Sequence, residues 1–375
     1  MPTPRERAAA REVPIGKHLP YAAQIDDHTI LTRDGLTMQV IRLDGLPFET
    51  IDQAQLDARK AARHAMLQSV ASARFGLVHH VVRRAVSPTL EGQFGDPFSQ
   101  SLDAAWRGRL ASRRLYVNDL YLTVVMRPLA GRDGWAERLL GLFSGTKKDG
   151  QAEIAVDVRQ LNQASEMLLA SLAPYGPRLL SAYDLATGLA SEPAEFFGQL
   201  VNGTDMPALL PLGDLGHALP RRRISFGADA IEFGPLDGEP ATFGAIISVK
   251  DYPAATGAGM FDDLYRLPIE MLVTQSFAVV DRGPALDRID LALRRMKSAD
   301  DAAVSLRTEL SLAKDEVAAG RAAYGEHHLT VMVKAASLAE LDGAVGEVQA
   351  LLAETGIAAV REELGLEAAF WAQMP

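Results

Sequence analysis

The run Asn118-Asp119-Leu120-Tyr121-Leu122-Thr123-Val124-Val125-Met126-Arg127 decides how this chain is read. β-Branched and aromatic residues fill its centre and no glycine or proline interrupts it, so it reads as a strand. Working outward, Gly76–Arg84 is a second strand. Between the two lies a segment with Pro88, Pro97 and a helix around Ser101–Arg113. Upstream, Arg33-Asp34-Gly35 divides Thr29–Leu43 into a hairpin. Thr50-Ile51-Asp52-Gln53 offers a capping box for an Ala-rich helix reaching about residue 73. Downstream, Ala152–Leu172 is a helix ended by Pro174 and Gly176, and a short strand follows near Arg178–Tyr183. From Leu36 the order is strand, helix, strand, strand, helix, strand. That is the split βαβ order of ferredoxin-like units.

The same order recurs further along. Pro240–Lys250 and Glu270–Val280 read as strands flanking a short helix, Met260–Arg266. A long helical region, Pro284–Ala323, precedes the strand His328–Lys334, the helix Leu338–Glu354 and a last strand, Ile357–Arg361. The expected class is therefore α+β, with two ferredoxin-like (split βαβ) units and a long helical insertion in the second. The expected domains are 1–183, with a projecting segment 128–150, and 239–363, with its helical region at 284–323. Residues 184–238 read as a connecting region rich in Gly and Pro, with one helix near Pro193–Val201, in which Pro207–Pro211 and Arg221-Arg222-Arg223 suggest surface passage.

Composition limits what such a protein does. The 375 residues are 48% hydrophobic and 23% charged, the balance of a globular protein with real cores. Zero cysteines exclude disulfides and thiolate chemistry. A formal charge of −10 and 6% aromatic residues argue against a general nucleic-acid surface. The basic runs Arg83-Arg84, Arg113-Arg114, Arg221-Arg222-Arg223 and Arg294-Arg295 have no aromatic residues interleaved, so they read as solvated faces or inter-subunit salt bridges. No apolar run approaches the ~20 residues of a membrane-spanning helix, which leaves membrane contact that is peripheral or made through a partner.

Motifs for chemistry fail one by one. A P-loop needs glycines, lysine and then Ser/Thr so that backbone amides cradle phosphate and a hydroxyl holds magnesium. Around Gly16-Lys17, Arg11 replaces the first glycine and His18 replaces Ser/Thr; Gly145-Thr146-Lys147 has the wrong order. His79-His80 and His327-His328 place adjacent rings on opposite faces of strands, where they cannot chelate one ion. The expectation is no catalytic, cofactor-binding or metal-ligating residue in this chain.

Two surfaces read as interaction sites. Trp135, Leu139, Leu142 and Phe143 form an apolar face with Lys147 and Lys148 just beyond, bracketed by Gly131, Gly134, Gly145 and Gly150. This segment either folds back on its own domain or docks on a membrane or partner. Leu286, Ile289, Leu293, Leu306, Leu310 and Val317 belong to a seam with steps of three and four, suited to a helical hairpin or an intermolecular coil. Ser298-Ala299-Asp300-Asp301 is a capping signal at which one helix ends near Lys297 and another begins.

Asp27-His28-Thr29 through Leu46-Pro47-Phe48-Glu49-Thr50, Ser72-Ala73-Arg74-Phe75, Arg113–Tyr121, Gly325-Glu326-His327-His328-Leu329-Thr330 and Phe370-Trp371-Ala372-Gln373-Met374-Pro375 are spread over the length of the chain. Together they resemble the CagE/TrbE/VirB family of type IV secretion and conjugal-transfer ATPases. In that family the part resembled precedes a RecA-like motor. The resemblance implies a scaffold that anchors such a motor to the inner-membrane complex, with Glu367, Phe370 and Trp371 in 364–375 beginning the connector to it. It implies inner-membrane subunits as partners, a homo-oligomer at full length, and a cytoplasmic place peripheral to the bacterial inner membrane. Mg-ATP is expected only with the motor domain. The rival expectation is a nucleotide-binding ATPase whose site is completed by another subunit or by that missing carboxy-terminal domain.

Overall fold

A computed structural model describes residues 12–375, apart from 47–50, 70, 71, 73, 88–91, 112, 129–147, 254 and 299–303. The strand around Leu120–Val125 is Leu115–Met126, one of twelve joined in a single sheet among the described residues. In chain order the first half supplies β1 (Tyr21–Gln24), β2 (Ile30–Thr32), β3 (Thr37–Leu43), helix α1 (Gln53–Ser69), β4 (Phe75–Val86), α2 (Pro97–Ala111), β5 (Leu115–Met126), α3 (Lys148–Ser171) and β6 (Pro177–Leu179). A separate two-stranded hairpin follows, β7 (Ala182–Leu185) and β8 (Gly188–Ser191), with α4 (Glu192–Asn202) and the single turn α5 (Leu215–Ala218). The second half supplies β9 (Ile224–Phe226), β10 (Ile231–Phe233), β11 (Thr242–Asp251), β12 (Glu270–Val280), α6 (Arg282–Ser298), α7 (Val304–Ala318), β13 (Tyr324–Ala335), α8 (Leu338–Glu354), β14 (Ala358–Arg361) and α9 (Leu366–Trp371).

The fold is α+β, built on this one large sheet. The two halves place their strands alike. In the first, β5 lies between β3 and β4, and the far edge of β3 is shared by β2 and β6. In the second, β13 lies between β11 and β12, and the far edge of β11 is shared by β10 and β14. β4 and β12 then pair antiparallel from Gly76↔Ala278 to Arg83↔Met271, which makes the sheet continuous through the molecule. Every one of these pairings is antiparallel, so the two strands that flank each middle strand run parallel to each other and are joined by a crossover.

Alternation along the strands sends side chains to two covered faces. On one face Ile41, Val124 and Met126 pack against Leu161, Ala164 and Leu168 of α3. On the same face of the second half, Ala245, Ile247, Val273, Val331 and Val333 pack against Leu341, Val345 and Val348 of α8. Ser337 caps α8, accepting the Glu340 amide. The opposite face carries Met38, Val40, Tyr121, Ile246, Leu272 and Met332, which pack beneath α4 and α9.

Part of 184–238 covers that opposite face, through the helix read near Pro193–Val201. Phe196, Phe197, Leu200 and Val201 of α4 are buried in the largest core cluster, and β9 and β10 extend the sheet. Ser191 caps α4 through the Ala194 amide, and Gly203 ends it at φ 68°, a left-handed conformation that suits glycine. The apolar content of α4 is too high for water, and the uncovered sheet face beside it accounts for its position.

Candidate docking surfaces

The helical hairpin α6–α7 is built from the seam. Ala285, Ile289 and Val317 are buried between the helices, with Leu286, Leu293 and Leu310 partly buried beside them. Lys314 Nζ lies 2.6 Å from Asp290 Oδ1 across the hairpin, and Arg288 Nη1 lies 2.6 Å from Glu326 Oε1 at its base. Leu306 is left outside, 52% exposed, together with Leu291, Val304 and Leu312. The seam therefore divides. Its inner residues hold the two helices together, and Leu306 faces solvent.

Of the apolar segment expected to project, Trp135, Leu139, Leu142, Phe143 and Lys147 lie outside the described residues. Lys148 is the first residue of α3. Glu367, Phe370 and Trp371 lie on α9. Phe370 is fully buried, with Phe226 and Phe233 at ring-centroid distances of 5.5 and 6.0 Å. Trp371 stacks on His18 at 4.8 Å and 5° between planes, and its Nε1 lies 3.4 Å from Glu367 Oε1.

One surface escaped the sequence reading. Helix α2 presents Phe98, Leu102 and Trp106 at steps of four, 75%, 60% and 54% exposed. An i, i+4, i+8 spacing places all three on one side of a helix. That spacing was the available signal, and a stripe of this kind on an inserted helix marks an interaction face more often than a scattered apolar residue does. Because α2 lies between β4 and β5, and α6–α7 between β12 and β13, the antiparallel pairing of β4 with β12 sends the two insertions to opposite ends of the sheet.

Chemistry is not concentrated anywhere near these surfaces. Among the described residues no group of three His, Asp or Glu could hold a metal ion. No helix among them is long and apolar enough to cross a membrane. His79 and His80 point to opposite faces, and burial pushes both imidazoles down to about 4.

Similarity to known proteins follows the same two halves. Residues 28–133 match the N-terminal domain of the type IV secretion system ATPase VirB4/TrbE. Residues 178–375 match the CagE, TrbE, VirB family, component of type IV transporter system. The type IV secretion system protein virB4 of Bartonella henselae is 32% identical over 96% of this chain and 45% of its own length. Protein virB4 of Rhizobium radiobacter is 30% identical over 96% and 45%, and the virB4 protein of Brucella suis 27% identical over 96% and 44%. The chain thus spans less than half the length of these curated relatives. With a family match covering more than half of its residues, the chain belongs to the CagE, TrbE, VirB family of type IV transporter components.

Proposed function

We propose that this chain is the docking module of a type IV secretion ATPase, which anchors a motor domain to inner-membrane subunits and turns over no nucleotide itself. The observation that carries this reading is the match of residues 28–133 to the N-terminal domain of VirB4/TrbE ATPases. The exposed apolar stripe of α2 and the outer face of α6–α7 add to it, since both suit contact with other proteins. We also read each half as a ferredoxin-like unit. In each, the fourth strand lies beside the first and the third lies between first and second. The domains would then be 1–183 and 239–363, with 184–238 between them packed across both. On this reading the protein works in the cytoplasm against the inner membrane, the Trp135–Lys148 segment meets the membrane side, and Leu306 with its exposed neighbours meets a second copy.

The experiment is co-purification with inner-membrane subunits from the same secretion machine. Replacing Leu139 and Phe143 with Asp should release the chain while its thermal unfolding stays unchanged. Attachment that survives the double change would refute docking through that segment. Calorimetric titration with Mg-ATP addresses the rival. Saturable heat from this chain would favour a nucleotide site completed elsewhere.

A further inference from the structure

The sheet face beneath α4 is not filled everywhere. Where β4, β12 and β13 meet the end of α4, a cavity of about 280 Å³ remains, lined among others by Arg84, Arg222, Thr242 and Lys334. Its apolar wall is Val82, Leu200, Leu272 and Met332. Charged and polar groups among its lining residues fall into two sets.

The first set is already engaged. Glu270 is turned to other partners, its Oε1 accepting the Ala85 amide at 3.0 Å and its Oε2 meeting Arg114 Nη2 at 3.3 Å. Arg84 Nε donates to Asp119 Oδ2 at 2.6 Å, and Arg42 donates to the other oxygen of that carboxylate at 3.1 Å. Two carboxylates, Asp205 and Glu239, are at exposed positions, where water screens them.

The second set is buried and incomplete. Arg222 is 6% exposed; its Nη2 reaches Glu239 at 3.2 Å, but its Nε is buried without an acceptor. Thr242 Oγ1 is likewise buried without a partner. Lys334 donates to the carbonyl of Gly203, which leaves ammonium protons over. Lys334 and Thr242 lie on the same face of adjacent strands, since Lys334 is opposite Gly244, two residues from Thr242. Buried donors without acceptors cost free energy and ask for an explanation. Here two of them, Arg222 Nε and Thr242 Oγ1, line one cavity together with the partly engaged ammonium of Lys334.

We propose that this cavity binds a phosphate group, as inorganic phosphate or as the head of a small phosphomonoester, with Lys334 Nζ, Arg222 Nε and Thr242 Oγ1 donating to its oxygens. Donors arriving from three directions suit a tetrahedral oxyanion better than a planar carboxylate. Charge-assisted donation from Arg and Lys is the strong form of such contact. Desolvation lowers the Lys334 pKa; the Glu270 carboxylate, directly opposite on β12, raises it, Arg222 lowers it and Glu239 raises it, with lowering the net direction. A bound anion favours the charged ammonium, so phosphate binding and Lys334 protonation support each other. The volume is at the small end of ligand sites, which run from ~300 Å³ upward.

The test is calorimetric titration of the whole chain with sodium phosphate at constant ionic strength, with chloride as control. Saturable binding is expected, weakened at least tenfold by Thr242→Val, which keeps the side-chain shape, and by Lys334→Met. Circular dichroism checks that each variant is folded. Should Lys334→Met not fold, Thr242→Val alone decides. Glycerol 3-phosphate binding more tightly than inorganic phosphate identifies the ligand as an organic phosphomonoester, and the reverse order identifies the free anion. Absence of saturable heat, malonate binding in place of phosphate, or unchanged affinity in Thr242→Val would each overturn the assignment.

Discussion

His80 Nε2 on β4 lies 2.8 Å from the main-chain oxygen of Gln373, and so ties the middle of the sheet to the segment after α9. The same Gln373 reaches Thr330 Oγ1 on β13 with its side-chain amide, at 3.3 Å. Between these two contacts runs a lateral row, Tyr121, His80, Thr274, Thr330 and Ser248, each directly opposite the next across five strands. The junction of the two halves is therefore polar at its centre, and a single residue bridges it.

This contact has a pH dependence with a definite sign. Accepting His80 as a neutral donor from Nε2, burial holds its folded pKa near 4, the Gln373 carbonyl opposing and His79 adding slightly. The unfolded chain keeps the ordinary value of ~6.5. Between those values the unfolded chain binds more protons, so stability is full above about pH 6.5 and falls as pH drops toward 4. At pH 5 the loss is about 2 kcal/mol for this imidazole. Urea midpoints at pH 7 and pH 5 measure it. Because burial depresses His79 to the same value, His80→Leu should remove about half of the combined difference and leave the His79 share; an undiminished difference in the variant would assign the effect elsewhere.

Phe370 is predicted to be a core residue in energetic terms. It is fully buried against Phe226, Phe233 and Trp371. Phe370→Ala should cost roughly 3–5 kcal/mol of stability, as large-to-small changes in cores do. A change below about 1 kcal/mol in chemical denaturation would mean that α9 leaves the face in solution.

Gly325 is required by a neighbour and not by its own backbone angles. A Cβ there would stand 2.4 Å from the Phe277 ring and 2.8 Å from the Ala278 carbonyl oxygen on β12. The ring can turn, but the carbonyl belongs to the paired strand and cannot. Gly325→Ala should destabilise by about 1–3 kcal/mol, read as a lower thermal midpoint without loss of strand content.

Arg33 supplies a fork that lysine cannot replace. Its Nε and Nη2 donate to Asp214 at 2.8 and 2.6 Å, while Nη1 and Nη2 also donate to the carbonyls of Leu19 and Gly16. Asp214 in turn caps α5 through the His217 amide. Planar bidentate geometry is what makes arginine specific here. The pair is about one-third exposed, so Arg33→Lys should cost only about 1 kcal/mol. Hydrogen exchange in α5 should rise in the variant; unchanged exchange would show the cap to be independent of the fork.

Much of this architecture was legible because strong local signals agree with it. Glu270–Val280 and Leu338–Glu354 have the bounds read from the sequence, one from an unbroken β-rich run and the other from its helical pattern. What local patterns do not carry is which strand edges meet. β4 and β12 find each other across almost the whole chain, and three-residue strands such as β9 and β10 are too short to show a period. Phe370 and Trp371 illustrate the other limit. An aromatic pair on a short helix states that apolar area must be covered, but not whether the cover is this sheet or another domain. The Arg222, Thr242 and Lys334 cavity draws on three separate elements, so no spacing in the sequence announces it.

The last prediction separates packing from association within one seam. Ile289 is buried inside the α6–α7 hairpin, so Ile289→Ala should cost about 2–4 kcal/mol whether or not a second copy is present. Leu306 is 52% exposed on the outer side, so Leu306→Asp should change the stability of the isolated chain by no more than about 0.5 kcal/mol. If that side meets a second copy, the same substitution should shift sedimentation at high protein concentration toward monomer. A wild-type chain that sediments as a monomer at every concentration, with Leu306→Asp indistinguishable from it, would remove self-association through this hairpin and leave α2 as the face to test next.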